Sequence, residues 1–309
     1  MSHLNLQPGQ TAVITGAASG FGLELARLGA QKGLNLVLTD VQQDALDKVV
    51  AELTAAGAQV AALRGDVSRG EDIQALADLC LERFGVPHIV INNAGVAYGG
   101  LIWEAGPRDW EWVLGVNLWG VIHGVRVFTP LMLAEARKNP AYQGHIVNVA
   151  SMAGMLNSPN LGVYNVSKHA VVSLSETLYQ DLALVTDQVH ASVLCPYFVP
   201  TGIHQSHRNR PAELRTDAKP TASQLRGQAM SAKAVTSGKV PATDTAALVF
   251  NAIEANQFYV YTHPKAIGMV QVRMEDVMQA RNPTDPFAGK PEIGEQLKTA
   301  LRDALAKED

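Results

Sequence analysis

The sequence predicts an α/β protein: a doubly wound parallel sheet forming a single domain, with an inserted lid and a C-terminal helical tail. Three observations predict it. Short β-rich runs alternate with stretches of helical length and periodicity. Several of the β-rich runs are apolar almost throughout, as strands covered on both faces must be. The residues after successive strands are small or polar: Gly16, Asp40, Asp66, Asn93, Ser151 and Pro196. Ligands of such sheets bind beyond the carboxyl ends of the strands, so these positions read as one crevice.

The elements follow in order. TAVIT (11–15) is the first strand, and Phe21 to Lys32 a helix with Leu23, Ala26, Leu28 and Ala30 on its apolar surface. LNLVLT (34–39) is the second strand. Asp44 to Ala56 is a helix that sets Leu46, Val49, Val50 and Leu53 on one face. QVAALR (59–64), HIVIN (88–92), HIVNVA (145–150), HASVLC (190–195) and FYVYT (258–262) are further strands. Residues 201–240 break the rhythm, with seven Lys or Arg against two acids. They read as a long flexible insertion, and long loops in compact domains are often lids. The tail over 264–309 carries an amphipathic stretch around Ile267–Met278, a Pro-rich break and a charged helix from about Glu292.

Composition narrows the function classes. The formal charge is -4 and the apolar share 47%, which suits a sizeable core and argues against a nucleic-acid partner. No run of about 18 apolar residues predicts a membrane span, and MSHLNLQPGQ lacks a secretion signal. A cytoplasmic protein is expected. Cys80 and Cys195 sit apart in apolar contexts and read as small buried side chains. His204 and His207 have a loose ligand-like spacing without a visible third ligand, so no metal site is expected. Trp103, Trp110, Trp112 and Trp119 read as core or subunit packing.

Thr15-Gly16-Ala17-Ala18-Ser19-Gly20-Phe21-Gly22 joins the first strand to the first helix. Glycines let the backbone turn tightly and approach a pyrophosphate. The helix that follows offers free N–H groups and a positive dipole end. Gly16, Ser19, Gly20, Phe21 and Gly22 are therefore candidate cofactor-binding residues. Asp40 ends the second strand, eighteen residues past Gly22. A carboxylate there accepts hydrogen bonds from an adenosine ribose and repels a 2′-phosphate, favouring NAD over NADP.

Tyr164 and Lys168 are four apart in YNVSK, on one face of a helical stretch. A phenol with an ordinary pKa of about 10 is a poor catalyst near neutrality. A nearby ammonium favours the phenolate and brings it toward the range of a general acid or base. The same spacing is also met in helices with a buried aromatic and a snorkelling lysine. Ser151 sharpens the choice, because it follows the fifth strand thirteen residues before Tyr164.

The TGxxxGxG turn, Asn92-Asn93-Ala94-Gly95, and Ser151 with Tyr164 and Lys168 resemble the short-chain dehydrogenase/reductase family over roughly residues 8–262. The resemblance implies a Rossmann-like domain over 1–262, a substrate lid at 201–240 within it, and an extension over 263–309 packed on the domain. It implies a secondary alcohol or ketone as substrate, a nicotinamide cofactor, and a homodimer or homotetramer. By position it gives Asp66 and Val67 to the adenine, and Asn93, Ala94 and Gly95 to the sheet and the adenosine site. Pro196, Val199 and Thr201 fall near the nicotinamide. Ser151 and Tyr164 hold the substrate oxygen, Lys168 lowers the Tyr164 pKa and bonds the nicotinamide ribose, and Asn117 in VNLWG holds a proton-relay water.

Tyr197 departs from the family, which has glycine there. It faces the substrate pocket, stacks near the nicotinamide, or packs as a loop aromatic. Leu156, Leu161, Tyr197, Phe198 and Ile203 are candidate apolar pocket residues, and a bulky or aromatic substrate is expected. A catalytically silent nucleotide sensor or scaffold is the rival reading; such proteins usually lack the Tyr or Lys kept here. An epimerase or dehydratase of the extended relatives would have a different Gly spacing.

Overall fold

A computed structural model describes residues 5–216 and 218–306. The outermost residues of the expected domain and tail, and Asp217 of the insertion, lie outside the described residues. Seven strands form one parallel sheet: β1 (Thr11–Thr15), β2 (Asn35–Asp40), β3 (Val60–Arg64), β4 (Ile89–Asn92), β5 (Gly144–Val149), β6 (Val189–Cys195) and β7 (Tyr259–Tyr261). Their spatial order is β3-β2-β1-β4-β5-β6-β7. The order reverses between β1 and β4, which is where a ligand crevice opens in such sheets.

Alternate strand residues feed opposite layers, as the two-residue side-chain period demands. Ile14, Leu36, Leu38, Ile89 and Ile91 point to one face. There they meet Leu25 and Ala26 of α1 (Gly20–Gln31), Leu46 and Val49 of α2 (Gln43–Ala55), and Phe250 and Ile253 of α8 (Ala242–Glu254). Val13, Val37, Val90 and Ile146 point to the other. That face is covered by Ile73 and Leu76 of α3 (Gly70–Phe84), Phe128 and Met132 of α5 (Gly120–Lys138), and Leu178 and Leu182 of α6 (Gly162–Val185).

Helical structure runs unbroken from α4 (Pro107–Leu114) through a π-helical turn at Gly115–Trp119 into α5. At 32 residues this stretch is long and apolar enough to cross a membrane by length and composition alone. Its apolar side chains Val121, Phe128 and Met132 are packed into the protein.

The insertion departs from expectation. Within 201–240 a 3₁₀ segment at Ile203–Asn209 is followed by α7 (Ala222–Thr236). The helix starts at a capping box: Thr221 Oγ1 accepts from Gln224 N–H at 3.2 Å, and Thr221 N–H donates to Gln224 Oε1 at 2.9 Å. Beyond β7, Ala266 of the turn Pro264–Ala266 and Val270 of α9 (Ile267–Met278) are buried beside Val171 and Val172 of α6, and α10 (Pro291–Leu305) packs on α7.

Candidate active site

The Gly-rich turn is built by backbone demands. Gly16 and Gly20 have φ of +64° and +55°, which side chains rarely tolerate. A Cβ on Gly22 would lie 2.1 Å from the Gly16 carbonyl oxygen, so α1 starts hard against the turn. Asn93 ties the end of β4 to the same turn. Its Nδ2 donates to the Thr15 carbonyl at 2.8 Å, while Thr15 Oγ1 accepts from the Asn93 and Ala94 amides. Gly16, Ser19, Gly20, Phe21, Asn93, Ala94 and Gly95 all face a cleft of about 620 Å³. Gly22 does not; it sits behind the wall and permits the turn.

Asp40 and Asp66 close the adjoining strand ends. Asp40 Oδ2 accepts from the Ala18 amide and Oδ1 from the Gln42 amide, each at 3.0 Å. The carboxylate is thereby fixed at the cleft wall. Asp66 Oδ1 accepts from Ser68 N–H and Oγ, shaping the turn into α3. Asp66 and Val67 also line the cleft.

The far half of the cleft brings Ser151, Tyr164 and Lys168 onto one wall. Ser151 caps the turn Met152–Gly154, accepting from the Ala153 amide at 3.1 Å, and donates to the Pro196 carbonyl at 3.4 Å. Lys168 is 2% exposed. Its Nζ donates to the Val149 carbonyl at 3.0 Å and lies 5.8 Å from the centre of the Tyr164 ring. Burial pushes the Lys168 ammonium down to about 8, and the adjacent Cys195 opposes this weakly. Burial raises the Tyr164 phenol, and a hydrogen bond with Ser151 pulls it down.

Asn117 sits in the π turn, fully buried. One amide hydrogen goes to the Val96 carbonyl and one to Ser167 Oγ, each at 3.0 Å, while its oxygen accepts from Val96 N–H at 2.8 Å. Both side-chain hydrogens are thus engaged, and Asn117 stands behind the wall rather than on it. These bonds brace the loop after β4 against α6.

The cradle fits a dinucleotide: a positive-φ Gly turn, a helix N-terminus without first-turn acids, and a fixed carboxylate one strand away. Residues 10–212 match the family model described as short chain dehydrogenase. The chain belongs to the short-chain dehydrogenase/reductase family. A solved family structure from Burkholderia phymatum, in complex with NAD, superposes with a TM-score of 0.89 at 52% identity, covering 92% of this chain and 99% of that one. A dehydrogenase/reductase of CLA biosynthesis from Lactiplantibacillus plantarum is 33% identical, covering 86% of this chain and 92% of the relative. A 1-deoxy-11-beta-hydroxypentalenate dehydrogenase from Streptomyces avermitilis is 33% identical, covering 88% and 90%.

In this short-chain dehydrogenase Leu156, Leu161, Tyr197, Phe198 and Ile203 line the same cleft. Pro196, Val199 and Thr201 line it too. Tyr197 combines two of its expected settings: it lines the cleft and packs on Phe198 at 4.3 Å and edge-on to His263 at 5.7 Å. Tyr98 and Trp112 also line the wall, and no local motif marks them. The tryptophans divide: Trp112 is 3% exposed beneath the Arg210 guanidinium, whereas Trp103 and Trp119 are 74% and 50% exposed.

The lid is tied down by polar contacts. Arg210 pairs with Asp109 at 2.7 Å, Tyr98 donates to Asp109, and Gln224 donates to Tyr98. Asn160 Nδ2 donates to the Ser223 carbonyl, and Ser223 Oγ donates to Glu104 and accepts from the Leu101 amide. Among the described residues of 201–240, these side chains fasten the turns to the body of the protein.

Proposed function

We propose that this short-chain dehydrogenase interconverts a bulky secondary alcohol and its ketone with NAD, using Tyr164 as the general acid/base. One observation carries the reading: Ser151, Tyr164 and Lys168 meet on the wall of the same cleft whose other half is the Gly-rich turn and Asp40. When bound, the cofactor supplies the hydride chemistry at the carbinol carbon. The protein's part is binding, orientation and the proton. In the oxidising direction the Tyr164 phenolate oxygen takes the alcohol proton, and in reduction the phenol returns it. The Ser151 hydroxyl orients the substrate oxygen beside the phenol. The Lys168 ammonium, held under the ring by the Val149 carbonyl, favours the phenolate.

Asp40 supports NAD over NADP. Its two oxygens are held by backbone amides, so its charge stands fixed where a 2′-phosphate would be repelled. The relative from Burkholderia phymatum was solved with NAD, and the relative from Streptomyces avermitilis is named for a bulky alcohol substrate. Leu156, Leu161, Tyr197 and Phe198 offer an apolar wall to such a substrate. Homodimers or homotetramers are proposed as well, supported by Val166, Leu184 and Val185 of α6, which are 44%, 82% and 67% exposed.

Tyr164→Phe tests the chemistry. Turnover of an aromatic secondary alcohol should fall by about 100-fold or more, while NADH binding, read by fluorescence, stays within about threefold. Activity above a few per cent of wild type would sink the assignment. Asp40→Ser should narrow the preference for NAD; a wild type that prefers NADP overturns the cofactor reading.

A further inference from the structure

The 3₁₀ segment Ile203–Asn209 crosses the cleft as a strap. At its middle Ser206, 5% exposed, accepts from the Ala97 amide at 2.9 Å, in the loop after β4. Near its C-terminal end, Arg208 Nε donates to Gln42 Oε1 at 3.3 Å, just beyond the end of β2. In the sheet, β1 lies between β2 and β4. The strap therefore passes over the end of β1, above the Gly-rich turn. Its neighbour Thr201 lies 3.4 Å from where a Cβ on Gly20 would be.

Arg208 holds little of its own in this position. Besides Gln42, its guanidinium donates to Gln205 Oε1 at 3.1 Å, so both partners are neutral amides. Arg208 lines the same cleft as Gly20, Asp40 and Gln42. A guanidinium has five donors and binds phosphate oxygens in pairs far better than it binds amides.

We propose that Arg208 is a cofactor clamp: a lid-borne guanidinium that holds the diphosphate of the dinucleotide's adenosine half and slows its release. The proposal rests on the dinucleotide reading above. On binding, the guanidinium trades amide oxygens for anionic ones and the strap is held more firmly across the turn. Retention of the cofactor and closure of the substrate lid then share one element.

The test measures binding rather than turnover. NADH, NADPH, ADP-ribose and nicotinamide mononucleotide are titrated into wild type, Arg208→Ala and Arg208→Lys, and NADH release is followed by stopped flow. For Arg208→Ala, NADH and ADP-ribose should weaken alike, by about tenfold, the scale of one charge-assisted hydrogen bond. NADH release should quicken by a similar factor. Arg208→Lys should recover part of the loss, and binding of the mononucleotide should change less than twofold. NADH affinity in Arg208→Ala within twofold of wild type would overturn the clamp. A loss confined to NADPH would also overturn it, assigning Arg208 to a 2′-phosphate. A wild type that binds none of these ligands would overturn the dinucleotide reading itself.

Discussion

Replacing Lys168 with methionine tests whether the active-site ammonium is held at a thermodynamic cost. The group is 2% exposed, with its Nζ on the Val149 carbonyl. Burial lowers its pKa from 10.5 to about 8. A folded-state value below the unfolded one means that, between these two values, the native protein has released a proton the unfolded chain keeps. Stability therefore rises with pH across that window, and the burial penalty is fully present below pH 8. At roughly 1.36 kcal/mol per pH unit, the whole window is worth about 3 kcal/mol. Lys168→Met removes the titrating group and keeps the volume of its stem. The stability of the variant relative to wild type should thus decrease by about 2 kcal/mol between pH 7 and about pH 9.5, whatever constant packing terms the substitution adds. Urea unfolding followed by circular dichroism at the two pH values, with no cofactor added, measures this difference. If it is the same at both, the ammonium is not desolvated and the argument from burial fails.

Two further predictions follow from contacts. A Cβ at Gly22 would meet the Gly16 oxygen at 2.1 Å and Asn93 Nδ2 at 2.7 Å. Gly22→Ala should therefore cost about 1–3 kcal/mol of overpacking and weaken NADH binding; an unchanged melting temperature and affinity would refute this account of the turn. Asp109→Ala leaves the largely buried Arg210 beside Trp112 without its carboxylate. The loss should approach about 3 kcal/mol. It should also speed proteolysis within 201–240 and raise the KM for the alcohol more than the Kd for NADH. Equal effects on the two constants would refute a lid-specific role.

The strands were legible because apolar runs fully buried in a parallel sheet leave little choice of element. Ile89-Val90-Ile91 sends alternate side chains to opposite layers, so one short string reports both cores. The meeting of Ser151, Tyr164 and Lys168 in one cleft was legible because Tyr164 and Lys168 share a helix face and Ser151 ends a strand. The lid was not. α7 buries only Ser223, Gly227 and Val235, so it shows no apolar stripe, and its order comes from contacts distant in sequence such as Gln224 with Tyr98. The Thr221–Gln224 capping box was a local signal that could have marked its start. Arg208 was visible only as one charge among seven, because the residue it reaches lies 166 positions away. The engagement of Asn117 with Val96 and Ser167 is likewise a tertiary fact.

The two halves of the site are held by different physics, and this bears on how they can move. The cofactor turn and the catalytic wall grow from strand ends whose apolar residues fill both cores, so displacing them would open the sheet. The lid is fastened by Asp109, Glu104, Asn160 and Ser206 through individual hydrogen bonds and one ion pair. Each such contact contributes about 1 kcal/mol net, more where charge is involved, and little apolar burial adds to it. Segments of that kind open locally at a small fraction of the global unfolding free energy. On the function proposed above, residues 201–240 would open while the hydride and proton positions stay fixed, and the proposed Arg208 clamp would connect that opening to the hold on the cofactor. Changes in the lid should then alter substrate choice and cofactor release with the Tyr164 chemistry intact.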